Sequence, residues 1–256
     1  MLSTFKTTGK WLLAIGGLLG LFSLIAFTEI RHRQKQVRAV IVRLNQVDGY
    51  QFLTKRDVSG YLTNEGADPV VGQAYTDTDL RRLEIRLRRH GLVQRCQVSR
   101  DLSGNLIVSI EQPRPVARLV SGEEGQVVSG QYVSAEGRFF PISMNCSARV
   151  PIVTGRYFAV NRSLVSTRNQ PLLTLLKQIQ ADAFWQAQIT ELSVDERGDV
   201  TMWPQMGNHR IEFGPPTDLE AKFRKLKLFY TDVLPAKGWD RYSRVSVQYR
   251  NQLVCE

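Results

Sequence analysis

The chain has 256 residues, 43% of them apolar and 23% charged, which suits a globular protein and excludes a low-complexity polymer. Its formal charge of +10 raises the question of nucleic acid. The basic residues are scattered, apart from residues 31–38 and 81–89, and so read as solvated faces and as attraction to anionic headgroups.

Residues 11–28 carry no charge. At about 1.5 Å rise per residue they make a helix close to the ~30 Å hydrocarbon core of a bilayer. Only a helix satisfies its own backbone in lipid, so the stretch is expected to be a single transmembrane helix. The alternative is a cleaved signal peptide, but Ala26-Phe27-Thr28 is a poor cleavage site. Lys6 and Lys10 before the span nearly balance Arg31, Arg33, Lys35 and Arg38 after it, so charge alone does not orient it. A ten-residue stub is too short to fold, which favours a cytoplasmic N-terminus and an exported remainder. Gly16 and Gly20 have the spacing of a helix-packing face.

A juxtamembrane linker, 29–38, leads to a β-branched strand at 39–44. Thr54 and Asp57 have capping-box spacing, with Leu53 placed to staple onto Val58, and Val58, Tyr61 and Leu62 share a helix face. A second helix is expected from 76–80 to about His90, buried through Leu80, Leu83 and Leu87, with Gly91 as a left-handed C-cap. Strands follow at 92–100 and 105–111, where Leu106, Val108 and Ile110 alternate with Ile107 and Ser109 as a sheet face requires. The order is β-α-α-β-β.

Pro113 and Pro115 stiffen a joint before a strand at 116–120. Short strands are expected at 126–133, 138–142 and 150–155, then one amphipathic helix over 171–185 with Leu172, Leu176, Ile179 and Ala183 on one side. A hairpin turns at Asp195-Glu-Arg-Gly198, and a strand runs over 209–213. Thr217-Asp-Leu-Glu220 has the pattern of a capping box. The helix it opens buries Leu219, Phe223, Leu226, Tyr230 and Val233 and ends at Leu234-Pro235. The last strand, 242–250, sends Val245, Val247 and Tyr249 one way and Arg244, Ser246, Gln248 and Arg250 the other.

No H-E-x-x-H, Walker A, G-x-G-x-x-G or G-x-S-x-G pattern occurs. His32, His90 and His209 read as surface or capping residues, and Asp195-Glu196 as turn chemistry. Cys96, Cys146 and Cys255 lack C-x-x-C spacing and indicate neither a zinc site nor a complete disulfide framework, although one pair can be oxidised in an export compartment. A non-enzymatic, membrane-tethered binding protein without cofactor or metal is expected.

Four local matches carry a resemblance. Thr78-Asp79-Leu80 with Leu83 and Leu87 is followed by Leu92-Val-x-x-Cys-x-Val-x-Arg100. Ile110-Glu-Gln-Pro-Arg-Pro-Val-Ala-Arg118 contains a Glu-x-x-Pro-Val-Ala-type junction. Tyr132-Val-Ser-Ala-Glu-Gly-Arg-Phe-Phe140 and Val150-Pro-Ile-Val-Thr-Gly155 form the third, and Val245-Ser-Val-Gln-Tyr-Arg250 the last. Together they resemble the FtsQ/DivIB family of bacterial cell-division proteins across nearly the whole chain. The sequence departs from the family pattern at Asn45-Gln46, Asp101-Leu102 and Gln248.

The resemblance implies an α+β chain. A cytoplasmic tail (1–10), span (11–28) and linker (29–38) precede a POTRA domain (39–112) and a mixed β domain with two packed helices (113–256). It implies a scaffold of the divisome in the inner membrane, with its C-terminal domains periplasmic at the septum. Other divisome components meet the POTRA domain, and FtsB- and FtsL-like single-pass proteins bind the β domain, helping regulate septal peptidoglycan synthesis. A terminal strand at a sheet edge can accept one more strand. On that basis Tyr249, Ser246, Arg250 and Arg244 are partner-binding candidates, with Tyr249 also open to core packing. The resemblance adds Arg197, at a hairpin turn similar in place to a family basic residue that contacts an acidic partner side chain, with an ordinary turn role as the alternative. Rival expectations are a POTRA-bearing export or assembly factor that binds substrate strands, and a membrane-anchored envelope enzyme.

Overall fold

The computed structural model describes residues 19–21, 23, 36–46, 48–120 and 130–256. The expected tail, most of the 11–28 span, most of the linker and the start of the 126–133 strand lie outside these. Among the described residues no helix is long and apolar enough to cross a membrane. The fold is α+β and divides into two compact units.

The first unit runs to Asn45 and takes in Thr54–His90 and Arg95–Ile110. Strand β1 (Ala39–Asn45), helices α1 (Lys55–Thr63) and α2 (Leu80–Arg88), and strands β2 (Arg95–Arg100) and β3 (Asn105–Glu111) follow in order, and the three strands pair as β1-β3-β2. The capping box of α1 forms: Asp57 N–H donates to Thr54 Oγ1 at 3.2 Å and Thr54 N–H to Asp57 Oδ2 at 2.8 Å. These bonds occupy donors that a helix start otherwise leaves orphaned. Val58, Leu62, Leu83 and Leu87 are buried with Leu106, Val108 and Ile110, while Leu80 is only half-buried. Gly91 corrects the sequence expectation. Helix α2 ends through Arg89 in right-handed geometry, and Gly91 is not left-handed.

The second unit comprises Gln46–Leu53, Gly91–Gln94 and Glu111–Glu256. Its strands are β4 (Pro115–Leu119), β5 (Gln131–Ser134), β6 (Phe139–Pro141), β7 (Ile152–Thr154), β8 (Ile189–Val194), β9 (Val200–Pro204), β10 (Arg210–Gly214), β11 (Arg244–Ser246) and β12 (Val254–Cys255). They form one sheet in the order β12-β11-β10-β9-β8-β7-β4-β5-β6. Leu119, Val153, Leu192, Met202, Ile211 and Val245 stand in register across six strands. All six are buried in the same core as Leu172, Leu176, Trp185, Phe223 and Leu226. Each such side chain contributes about 1.5–3 kcal/mol of burial.

Helices α3 (Tyr157–Val160), α4 (Gln170–Ala181), α5 (Ala183–Gln188), α6 (Leu219–Leu228) and α7 (Leu234–Lys237) all add residues to this core, and three sequence expectations change here. The single helix over 171–185 is two, because Asp182 is extended and its carboxylate accepts from the N–H groups of Phe184 and Trp185 as a fresh N-cap. Ala183 is consequently exposed. The capping box at Thr217 does not form, since Asp218 enters α6 in left-handed geometry without a side-chain cap. Leu234-Pro235 does not stop the helix. A π-helical turn, Phe229–Val233, carries it into α7, where Pro235 falls in the first turn and needs no N–H partner.

His209, expected at the surface, is 1% exposed. Its Nε2 lies 2.9 Å from the Tyr230 hydroxyl, and its Nδ1 has no partner among the described residues. Burial holds the imidazole below its ordinary value of 6.5 and pushes the Tyr230 phenol up to about 12.

The β6 side of the sheet is packed by the unit's own chain. Phe52, Tyr132 and Phe140 form an aromatic cluster with ring centroids 5.4–5.7 Å apart. Gln112 Oε1 accepts from the N–H groups of Phe52 and Leu53 at 2.8 and 2.9 Å, and Ser143 Oγ donates to the Phe52 carbonyl at 2.6 Å. Gly91 approaches Pro141 of β6 so closely that a Cβ there would fall 2.6 Å from the proline Cδ.

Candidate partner-binding edge

The last stretch of chain is not one strand over 242–250. Regular pairing covers only β11, parallel to β10, after which the chain turns through 247–252 and returns as β12, antiparallel to β11. The turn passes through Asn251, in the left-handed region at φ 61°. β11 is therefore interior, and the sheet ends on β12.

The register shows what that edge offers. Arg244 and Glu256 exchange two backbone bonds, Glu256 N–H to Arg244 O at 2.9 Å and Arg244 N–H to Glu256 O at 3.0 Å. In an antiparallel ladder bonded and non-bonded pairs alternate, so the next pair, Val245 and Cys255, is non-bonded. The N–H and C=O of Cys255 thus point away from β11, on the side where no strand lies among the described residues. The Cys255 side chain leans toward the core, and burial pushes its thiol pKa up.

The candidate residues separate into two groups. Tyr249, 52% exposed, lies on the turn rather than on a strand, and Arg250 beside it is exposed. Val245 and Val247 keep the inward face expected of them, but the alternation ends before Tyr249. Arg197 is exposed at the β8–β9 turn, which Asp195 shapes by accepting from the N–H groups of Arg197 and Asp199. β10 links this turn to the 247–252 turn: Gly214 pairs with Val200 and Glu212 with Ser246, so both turns sit at one end of the sheet. Ser246 and Arg244 belong to the interior group. Ser246 is 1% exposed. Arg244 is ion-paired with Glu212 at 2.9 Å and Glu256 at 3.0 Å.

A groove of about 720 Å³ runs beside the turn. Leu228, Val247, Tyr249 and Leu253 supply apolar lining, and Arg224 and Arg250 supply charge. Asp218 is the one acid among its lining residues, so the groove favours an apolar side chain flanked by carboxylates.

Sequence reasoning missed Lys222 and Lys225. Lys222 is buried, its Nζ donating to Phe213 O at 2.9 Å and Pro215 O at 2.6 Å. Its spacing of three and four from Leu219 and Leu226 puts it on the buried stripe, a legible signal. Burial lowers the pKa of both lysines. Cys96, Cys146 and Cys255 are free thiols, and burial pushes Cys96 up to about 11. Among the described residues no group of His, Cys, Asp and Glu is placed to hold a metal ion.

No curated protein matches the chain. The model of the family described as FtsQ/DivIB, C-terminal related, matches residues 114–256, more than half of the chain. That match takes in the whole run from β4 to β12. The chain belongs to the FtsQ/DivIB C-terminal related family, and with it to the proteins of cell division at the membrane.

Proposed function

We propose that the chain is a non-enzymatic, single-pass scaffold of the bacterial divisome. Residues 11–28 cross the inner membrane with the N-terminus cytoplasmic, and the remainder lies in the periplasm at the septum. Residues 39–112 form a POTRA domain that meets other divisome components. Residues 113–256 bind FtsB- and FtsL-like single-pass proteins and help regulate septal peptidoglycan synthesis. The observation that supports this most strongly is the edge of β12, uncovered among the described residues, beside an exposed Tyr249 and a basic groove.

A partner strand adds to the outward N–H and C=O of Cys255, so main-chain bonds supply affinity. Tyr249 and the groove select an apolar side chain, and Arg250 and Arg197 select acidic ones. Arg244 acts from inside, tying β11 to Glu212 of β10 and to Glu256 beside β12, while Ser246 is packed between those strands. Co-expression of the full chain with the FtsB-like protein of the same organism tests the site. Wild type captures it, and Tyr249→Glu, folded by circular dichroism, does not. Equal capture by both would remove Tyr249 from the site.

A further inference from the structure

Lys225 gives its ammonium wholly to the turn. Nζ donates to Val247 O at 2.6 Å, Tyr249 O at 2.7 Å and Gln252 O at 3.2 Å. An ammonium carries three N–H donors, and three carbonyls take them. Those carbonyls lie on both sides of the reversal at Asn251, so one cation draws together the outgoing and returning halves of 247–252. Lys222, one helical turn earlier, does the same for the exit of β10. Helix α6 is ten residues long and packed on the core through Phe223 and Leu226, whereas β12 is two residues. The rigid element thus sets the geometry of the weak one.

We propose that Lys225 is a positioning residue for partner recognition, resting on the partner-binding role of β12 and Tyr249 proposed above. By clamping 247, 249 and 252 it fixes the turn that presents Tyr249 and Arg250 at the groove and returns the chain as the edge strand. Lys225 lines the groove, but its donors are spent on the turn, so it acts through the shape of the turn. Without it three carbonyls lose a charged donor, the turn opens and β12 separates from β11.

The test uses the full chain in detergent, with amide hydrogen exchange read without partner and capture of the co-expressed FtsB-like protein read separately. In Lys225→Met the amides of Val254 and Glu256, which bond to β11, exchange roughly ten- to hundredfold faster, the range set by bonds to a charged group. The amides of α4 and of the first unit keep their rates, and capture is lost. Lys225→Arg, which keeps the charge and several donors, recovers slow exchange and capture together. Unchanged exchange in Lys225→Met would overturn the clamp. Faster exchange with undiminished capture would overturn its role in recognition. Tyr249→Glu run beside them keeps slow exchange, and capture by that variant would instead indict the site itself.

Discussion

The two edges of the nine-stranded sheet are treated in opposite ways. At the β6 side, residues 46–53 and 91–94 come back onto the unit, an aromatic cluster seals over β5 and β6, and Pro141 lacks a donor to offer. At the β12 side the last strand is two residues long, its outward backbone groups are open, and Tyr249 and Leu228 are both 52% exposed. Unpaired edges invite unwanted pairing and are ordinarily covered, shortened or blocked. Among the described residues, distant segments close one edge and none covers the other, the asymmetry on which the proposed use of β12 rests.

The contrast makes graded predictions. Phe52→Ala removes the ring that Tyr132 and Phe140 pack against, costing about 3–5 kcal/mol of stability in the second unit, read from its urea midpoint. Gly91→Ala forces a methyl into Pro141 at the same edge and costs about 1–3 kcal/mol by the same measurement. His209 tests the core behind the open half of the sheet. Its folded pKa lies below the ordinary 6.5, so the unfolded chain takes up the proton first. Stability is therefore full above pH 6.5 and falls as the pH drops through and below it, by at most about 1.4 kcal/mol per pH unit. His209→Gln flattens that slope between pH 7 and 5. At the open edge Tyr249→Glu changes the urea midpoint by no more than about 0.5 kcal/mol in stability while abolishing capture. A closed-edge variant that spared stability, or a Tyr249 variant that unfolded the unit, would dissolve the contrast.

Much of the fold was legible because local chemistry decided it. The capping box at Thr54, the alternation of Leu106, Val108 and Ile110, and the turn at Asp195 each follow from a few neighbouring residues. What the sequence hid depended on tertiary contacts. Nothing local near Thr217 announces that Asp218 turns left-handed, and nothing near Pro235 announces that a π-helical turn carries the helix past it. Periodicity ran the last strand through Tyr249, but Lys225, more than twenty residues earlier, ends it by drawing the chain into a turn. Of the candidate residues, type and position pointed to Tyr249, Arg250 and Arg197, which the structure leaves at the surface. Alternation puts Ser246 on the face opposite Val245 and Val247, yet it is as buried as they are, between β10 and β12.

The central claim is that a partner pairs with the outer edge of β12, and the most direct measurement compares Cys255→Pro with Cys255→Ala in partner affinity. Proline deletes the one outward N–H at 255 without touching the bonds between Arg244 and Glu256, and alanine controls for the lost thiol. The account predicts near-wild-type affinity for Cys255→Ala and roughly tenfold weaker or no binding for Cys255→Pro, with both folded by circular dichroism. Equal affinity in the two variants would contradict strand addition at this edge.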